Sequence, residues 1–200
     1  MQIIELIIND NEELNGIEAI SLVENPAIEE NFIALKDQAV TLAKVDAEKR
    51  ILMGAALIPN KPIYRKNGEN EFYIFFSKKT VNRASQLFLQ KGNQSKATLE
   101  HEKAIQGLTV VESWIIEDEI HDKSKKYGLS LPIGTWMVSM KVEDDAIWND
   151  FVKSGKVKGF SVEGFFADKL SKYNEPLKDE LSEDEKLVKQ IANIIENTTK

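Results

Sequence analysis

The chain has 200 residues, 42% of them hydrophobic, a composition that fits one folded core with short appendages. It contains no cysteine, which excludes disulfides, thiolate metal sites and a cysteine nucleophile. The net charge is −7, and Arg50, Arg65 and Arg83 are the only arginines and lie far apart, so we expect no concentrated basic face for nucleic acid.

No apolar stretch reaches the roughly 18 to 20 residues that a membrane helix needs. The first residues also lack the basic flank and the cleavage site of a signal peptide. We therefore expect no membrane partner, and a location inside the cell or inside an assembly.

The amino-terminal segment 1–28 is predicted to form two short strands, at Gln2–Ile8 and Ile17–Val23. It is strongly acidic, because the first 35 residues hold eight Asp or Glu side chains and no Lys or Arg. The following segment, 29–49, has a helical or irregular pattern, and we interpret it as a connector.

Strand patterns predominate from Arg50 to Ala167. Short apolar or alternating runs predict strands at 51–58, 71–76, 108–116, 134–142 and around Ser161. Two helices are predicted between them, one capped by Ser77 or Thr80 and one capped by Asp144 or Asp145. The sequence therefore predicts an α+β, mainly β domain over residues 1–168.

The last segment, 169–200, is charged and is broken by Pro176. A capping-box pattern at Ser182–Glu185 precedes apolar residues at helical spacing, which predicts an amphipathic helix. Such a helix either docks on the core or binds a partner.

One serine and one histidine carry the strongest chemical signal. Ser161 lies in an apolar strand pattern between Gly159 and Gly164, where backbone can approach closely, as an acyl-transfer nucleophile requires. A hydroxyl needs a general base, and the chain has two histidines. We favour His101, which ends a strand-like segment, over His121, which lies in a charged run.

Other site types have weaker support. The glycines around Ser161 do not form the Gly-x-Ser-x-Gly elbow of an α/β-hydrolase. The histidines and carboxylates are not spaced as metal ligands, and no Gly-rich phosphate loop is present, so we expect no metal and no cofactor. The alternative is that Ser161 and His101 are ordinary structural residues.

At these residues the chain resembles the XkdF-like serine proteases of tailed bacteriophages, relatives of the prohead (capsid maturation) proteases. The resemblance implies a herpesvirus-protease-like β-barrel with a few covering helices. It also implies that Ser161 is the nucleophile, that His101 is the base and that a third residue orients the histidine. The motifs that carry it occur in order at 20–28, 99–102, 110–114, 134–136 and 159–164.

The third residue is where the chain departs from the prohead proteases. In those proteins a segment similar to Ser21–Ala27, preceded by an acid, follows the nucleophile strand, whereas here it comes before the histidine. Circular permutation explains this order, with the amino-terminal strand replacing a strand beyond Ser161. Glu18 is then the candidate acid, although the family register falls on Ala19, and Glu112 is the alternative.

The resemblance implies a serine endopeptidase of phage prohead maturation, acting in the host cytoplasm inside the assembling prohead. Its expected partners are the scaffold and the major capsid protein as substrates, with self-cleavage and homo-oligomerisation left open. The alternative function is a catalytically inactive, protease-derived structural or scaffold-binding protein of the phage head.

Overall fold

A computed structural model describes residues 2–8, 15–28, 33–35 and 49–169. All of them belong to one compact unit, Met1–Leu170. Most of the predicted connector 29–49 and the amphipathic helix predicted after Ser182 lie outside the described residues.

The described part of the chain is mainly β, which confirms the predicted α+β, mainly β class. The helical segments are α1 (Lys78–Gln90), 3₁₀ helices at Asn93–Ser95 and Lys123–Tyr127, and a π-helical turn at Ile147–Lys153. The strands are β1 (Gln2–Ile7), β2 (Gly16–Val23), β3 (Ile33–Leu35), β4 (Ile51–Leu57), β5 (Ile63–Asn67), β6 (Asn70–Phe76), β7 (Ala97–Leu99), β8 (Lys103–Ile105), β9 (Leu108–Ile115), β10 (Trp136–Val142), β11 (Gly159–Phe165) and β12 (Ala167–Lys169).

The strands pair into three four-stranded sheets, in the orders β12-β1-β6-β5, β3-β4-β10-β9 and β11-β2-β7-β8. We call the third one the site sheet. The predicted closed barrel is not observed in the described residues, because closure needs two hydrogen-bonded neighbours for every strand. After β11 the chain passes Phe166 and enters a different sheet as β12, so β11 stays at the edge of the site sheet.

Helix α1 packs over the core through one apolar face. Ser77 caps its first turn, because the Ser77 hydroxyl accepts a hydrogen bond from the Thr80 N–H. Phe88 is fully buried and meets Trp136 of β10 edge to face, with ring centroids 5.4 Å apart. No helix in the described residues is long and apolar enough to cross a membrane.

The site sheet joins distant parts of the sequence. β2 pairs with β11 in antiparallel fashion and with β7 in parallel fashion. Ser21 of β2 is thereby the register partner of Ser161 on one side and of Thr98 on the other. β2 thus lies directly beside the Ser161 strand.

A register shift follows Glu163 in the β2–β11 pair and brings two backbones very close. A Cβ placed on Gly164 would lie 2.1 Å from Gly16 O and 2.8 Å from Ile17 Cα. Only glycine fits at this crossing, since backbone atoms cannot move aside as a flexible side chain can.

We expect Gly164→Ala to lower the free energy of unfolding by about 3 kcal/mol, at the upper end of overpacking effects. Urea denaturation measures this loss. Gly68→Ala is the matched control, because its Cβ would meet nothing within 4 Å and only its left-handed φ of 62° is strained, which costs about 1 to 2 kcal/mol. Equal losses in the two variants would contradict the proposed backbone crossing.

Candidate active site

Ser161 lies on β11 and is 7% exposed. Successive side chains of a strand point to opposite faces, and the register of β11 is regular from Phe160 to Glu163. Ser161 and Glu163 therefore share one face of the site sheet, while Phe160 and Val162 share the other.

His101 lies in the tight turn between β7 and β8. Its φ is 60°, and that of Glu100 is 51°, so two consecutive non-glycine residues are in the left-handed region. Each such residue costs roughly 1 to 2 kcal/mol, and this conformation persists only where neighbouring contacts impose it. Strained backbone of this kind is concentrated at functional sites.

Three hydrogen bonds tie this turn to β2 and the residue that follows it. The Glu100 N–H donates to Leu22 O at 3.0 Å, and the His101 N–H donates to Ser21 Oγ at 3.0 Å. The Glu24 N–H donates to Glu100 Oε1 at 2.7 Å. The position of His101 is therefore determined by β2, the strand that pairs with the Ser161 strand.

The ring of His101 bonds to Glu163. His101 Nδ1 lies 3.0 Å from Glu163 Oε1, and the Thr98 hydroxyl donates to the same carboxylate oxygen. Because an ionised carboxylate can only accept, Nδ1 carries the proton of a neutral ring. Nε2 is then the unprotonated nitrogen that can take a proton from a nucleophile.

The structure thus places His101 in a hydrogen-bond network with two neighbours of Ser161. His101 contacts Ser21, the register partner of Ser161, and Glu163, two residues beyond Ser161 on the same face. The hydrogen bonds of the described residues include none between the Ser161 hydroxyl and the His101 ring. The Ser161–His101 dyad therefore stays a prediction.

Glu18 does not occupy the place that the sequence suggests for the acid. Ala19 faces Glu163 and Ile17 faces Gly164, so the half-buried Glu18 is the extra residue at the register shift and has no opposite partner. Within the described residues, the carboxylate bonded to the His101 ring is that of Glu163.

Glu112 belongs to another sheet and another network. It lies on β9, where its carboxylate accepts hydrogen bonds from Lys123 and Ser139. The hydrogen bond from Lys123, followed by that from Ser139, lowers the pKa of Glu112 below its usual value. The structure does not bring Glu112 to His101.

The sequence did not single out Glu163 as a candidate acid. The spacing between Ser161 and Glu163 was a usable signal, because residues two apart on a strand lie on the same face of the sheet. What the sequence could not give is the pairing through β2 that brings the His101 turn over this face.

His121 lies apart from this site, as predicted. Its Nδ1 is 2.8 Å from Asp118 Oδ2 in an exposed loop, and this bond is the main cause that lowers the pKa of Asp118 to about 2. No group of three His, Asp or Glu side chains that could hold a metal ion occurs in the described part of the chain.

We expect Ser21→Ala to speed hydrogen exchange of the His101 amide and to destabilise the fold by about 1 to 3 kcal/mol, because the His101 N–H loses its acceptor. Exchange measured by NMR reports the effect. Ser139→Ala is the matched control, because Ser139 and Ser21 are both 0% exposed serines on strands. Equal His101 exchange rates in both variants would rule out the anchoring role of Ser21.

We expect Glu112→Gln to lower the free energy of unfolding at pH 7 by less than about 1 kcal/mol, since the Glu112 side chain is 46% exposed. The pKa of Glu112 is lower in the folded chain than in the unfolded chain. The stability that the ionised Glu112 provides is therefore fully present above about pH 4.3 and is lost as the pH falls through the pKa of the folded chain. Urea denaturation across this pH range should show that the difference in unfolding free energy between Glu112→Gln and the unmodified chain disappears in acid. A difference that grew in acid would contradict this assignment.

No curated protein and no solved structure matches the chain. A family model described as "Putative phage serine protease XkdF" matches residues 38–170. The matched range is well over half of the chain and contains His101, Ser161 and Glu163, whereas β2 precedes it. The chain therefore belongs to the phage serine protease XkdF family.

Proposed function

We propose that the chain is a serine endopeptidase in which Ser161 is the nucleophile, His101 the general base and Glu163 the orienting acid. One observation carries this proposal: His101 Nδ1 is bonded to Glu163, a residue on the same strand and the same face as Ser161. A carboxylate on Nδ1 fixes the tautomer and leaves Nε2 to serve the nucleophile.

In the proposed reaction the Ser161 oxygen attacks the carbonyl carbon of a peptide bond, and His101 Nε2 takes the hydroxyl proton. The Glu163 carboxylate stabilises the imidazolium that forms. The proton then passes to the leaving amine, the C–N bond breaks, and an ester joins Ser161 to the acyl part of the substrate. Water, activated by His101, hydrolyses this ester and restores the serine.

Membership in the family supports a role in phage prohead maturation. In this proposal the substrates are the scaffold and the major capsid protein, and the chain itself is a further substrate. The enzyme acts in the host cytoplasm, inside the assembling prohead. A herpesvirus-protease-like, permuted fold is part of the same proposal, and the position of β2 beside β11 supports it.

One observation favours the second candidate function, an inactive scaffold-binding protein of the phage head. The described hydrogen bonds do not include one between the Ser161 hydroxyl and His101. Such bonds are often long in the absence of substrate and shorten when the substrate binds, so labelling of the serine is the decisive experiment.

We expect a fluorophosphonate probe to label Ser161 in the full chain and to leave Ser161→Ala unlabelled. Glu163→Gln should slow labelling and substrate cleavage by roughly 10²- to 10⁴-fold, as loss of the orienting acid does in serine proteases. Mass spectrometry of the labelled peptide and the labelling rate measure these effects.

Glu112→Gln is the matched control, because it makes the same substitution in a different sheet. The probe should label the Glu112→Gln variant at the same rate as the unmodified chain. If Glu112→Gln and Glu163→Gln slowed labelling equally, Glu163 would lose its role. Absence of labelling together with absence of scaffold cleavage would favour the inactive protein.

A further inference from the structure

A cavity of about 220 Å³ lies on the side of β11 opposite to Glu163. Phe160, Val162 and Gly164 line it with residues of one strand face, and Ser161 also borders it. Part of the remaining wall comes from β5 and β6, and further parts come from β1, β4 and residues 27–28. The cavity therefore adjoins the strand that carries the proposed nucleophile.

Apart from one residue, the wall formed by β5 and β6 is apolar. Ile63 pairs with Ile74, and Arg65 pairs with Phe72, so Arg65 lies on the same sheet face as these apolar side chains. Among the described residues that line the cavity, Arg65 is the only charged one. A cation on an inward apolar face breaks the binary pattern of the sheet.

Within the described part of the chain, no carboxylate neutralises the charge of Arg65. Its guanidinium donates to Tyr64 O at 3.1 Å, and the described residues give it no carboxylate partner. Partial burial against the cavity wall lowers the pKa of Arg65. Arg65 is nevertheless an exposed residue, whereas Phe160 and Leu57, which also line the cavity, are buried. The cavity therefore extends from the protein surface into the interior.

The edge position of β11 relates this cavity to a polypeptide substrate. An extended chain can add to the free edge of a sheet, and its successive side chains then point to opposite faces. A substrate that presents one peptide bond to Ser161 would direct a neighbouring side chain to the face of Phe160 and Val162. That face borders the cavity.

We propose that this cavity is a specificity subsite for a substrate side chain with an apolar stem and a carboxylate tip, for which glutamate is the best match. The stem packs among Phe160, Val162 and Phe76, and the carboxylate bonds to the guanidinium of Arg65. This inference rests on the proposed function, because it assumes that Ser161 cleaves a polypeptide.

The test is a cleavage profile of a peptide mixture with the full chain, analysed by mass spectrometry and restricted to cuts that Ser161→Ala abolishes. We expect glutamate to be enriched at one fixed position near the cut. Replacing it by glutamine in a single peptide should lower kcat/KM on the order of 10- to 100-fold, the usual range for a charge-assisted hydrogen bond.

Arg65→Met keeps the apolar length of the side chain and removes its charge. It should abolish the preference for glutamate over glutamine while the glutamine peptide is still cut at its original rate. Lys66→Ala is the matched control, because Lys66 is the next cation on β5 and pairs with Glu71 instead. It should retain the preference.

The outcomes separate the two proposals. Serine-dependent cuts without a fixed acidic position, or a preference that survives Arg65→Met, would overturn the subsite and leave the protease intact. Equal slowing of both peptides in Arg65→Met, the result expected if another segment of this chain filled the cavity, would also overturn the subsite. Absence of any serine-dependent cut, together with absence of fluorophosphonate labelling, would overturn the protease and the subsite with it.

Discussion

The antiparallel pairing of β2 with β11 determines the position of each side chain at the candidate site. It sets Ser21 opposite Ser161. The buried Ser21 hydroxyl accepts a hydrogen bond from the backbone N–H of His101. A slip of one residue would turn Ser161 and Glu163 to the opposite face. The close crossing of Gly164 over Gly16 opposes such a slip, because any other residue there would bring a Cβ into contact with backbone.

The Glu100–His101 turn shows how this pairing is used. Glu and His are poorly suited to two successive left-handed positions, which hairpins usually fill with Asn or Gly, and three hydrogen bonds to β2 and Glu24 offset that cost. The turn is therefore held by the neighbouring strand and not by its own sequence. Because the turn is held in this position, the His101 ring lies over the sheet face that Glu163 and Thr98 share.

The sequence was sufficient for most of the longer strands, whereas β3, β5, β8 and β12 were not predicted. Apolar periodicity gave the mainly β class, and the strand pattern around Ser161 corresponds to β11. It failed where the answer depends on long-range register. Glu18 is one residue away from the position that the family register gives for the acid. In the structure it lies at a register shift, where strand alternation no longer predicts which face a side chain points to. Glu163 was missed because its partner comes from a hairpin that is remote in sequence. The closed barrel, which the family resemblance implied, is not observed among the described residues.

The order of strands in the site sheet has a consequence for the time at which the site is assembled. β2 is synthesised well before β11, yet the two strands are hydrogen-bonded neighbours. Contacts between such distant segments form late, because a long loop must close before they can be made. A nascent chain that has not yet reached Ser161 can form neither the Ser161–Ser21 pair nor the contact between Glu163 and His101. Translation itself therefore delays completion of the candidate site until β11 has been made.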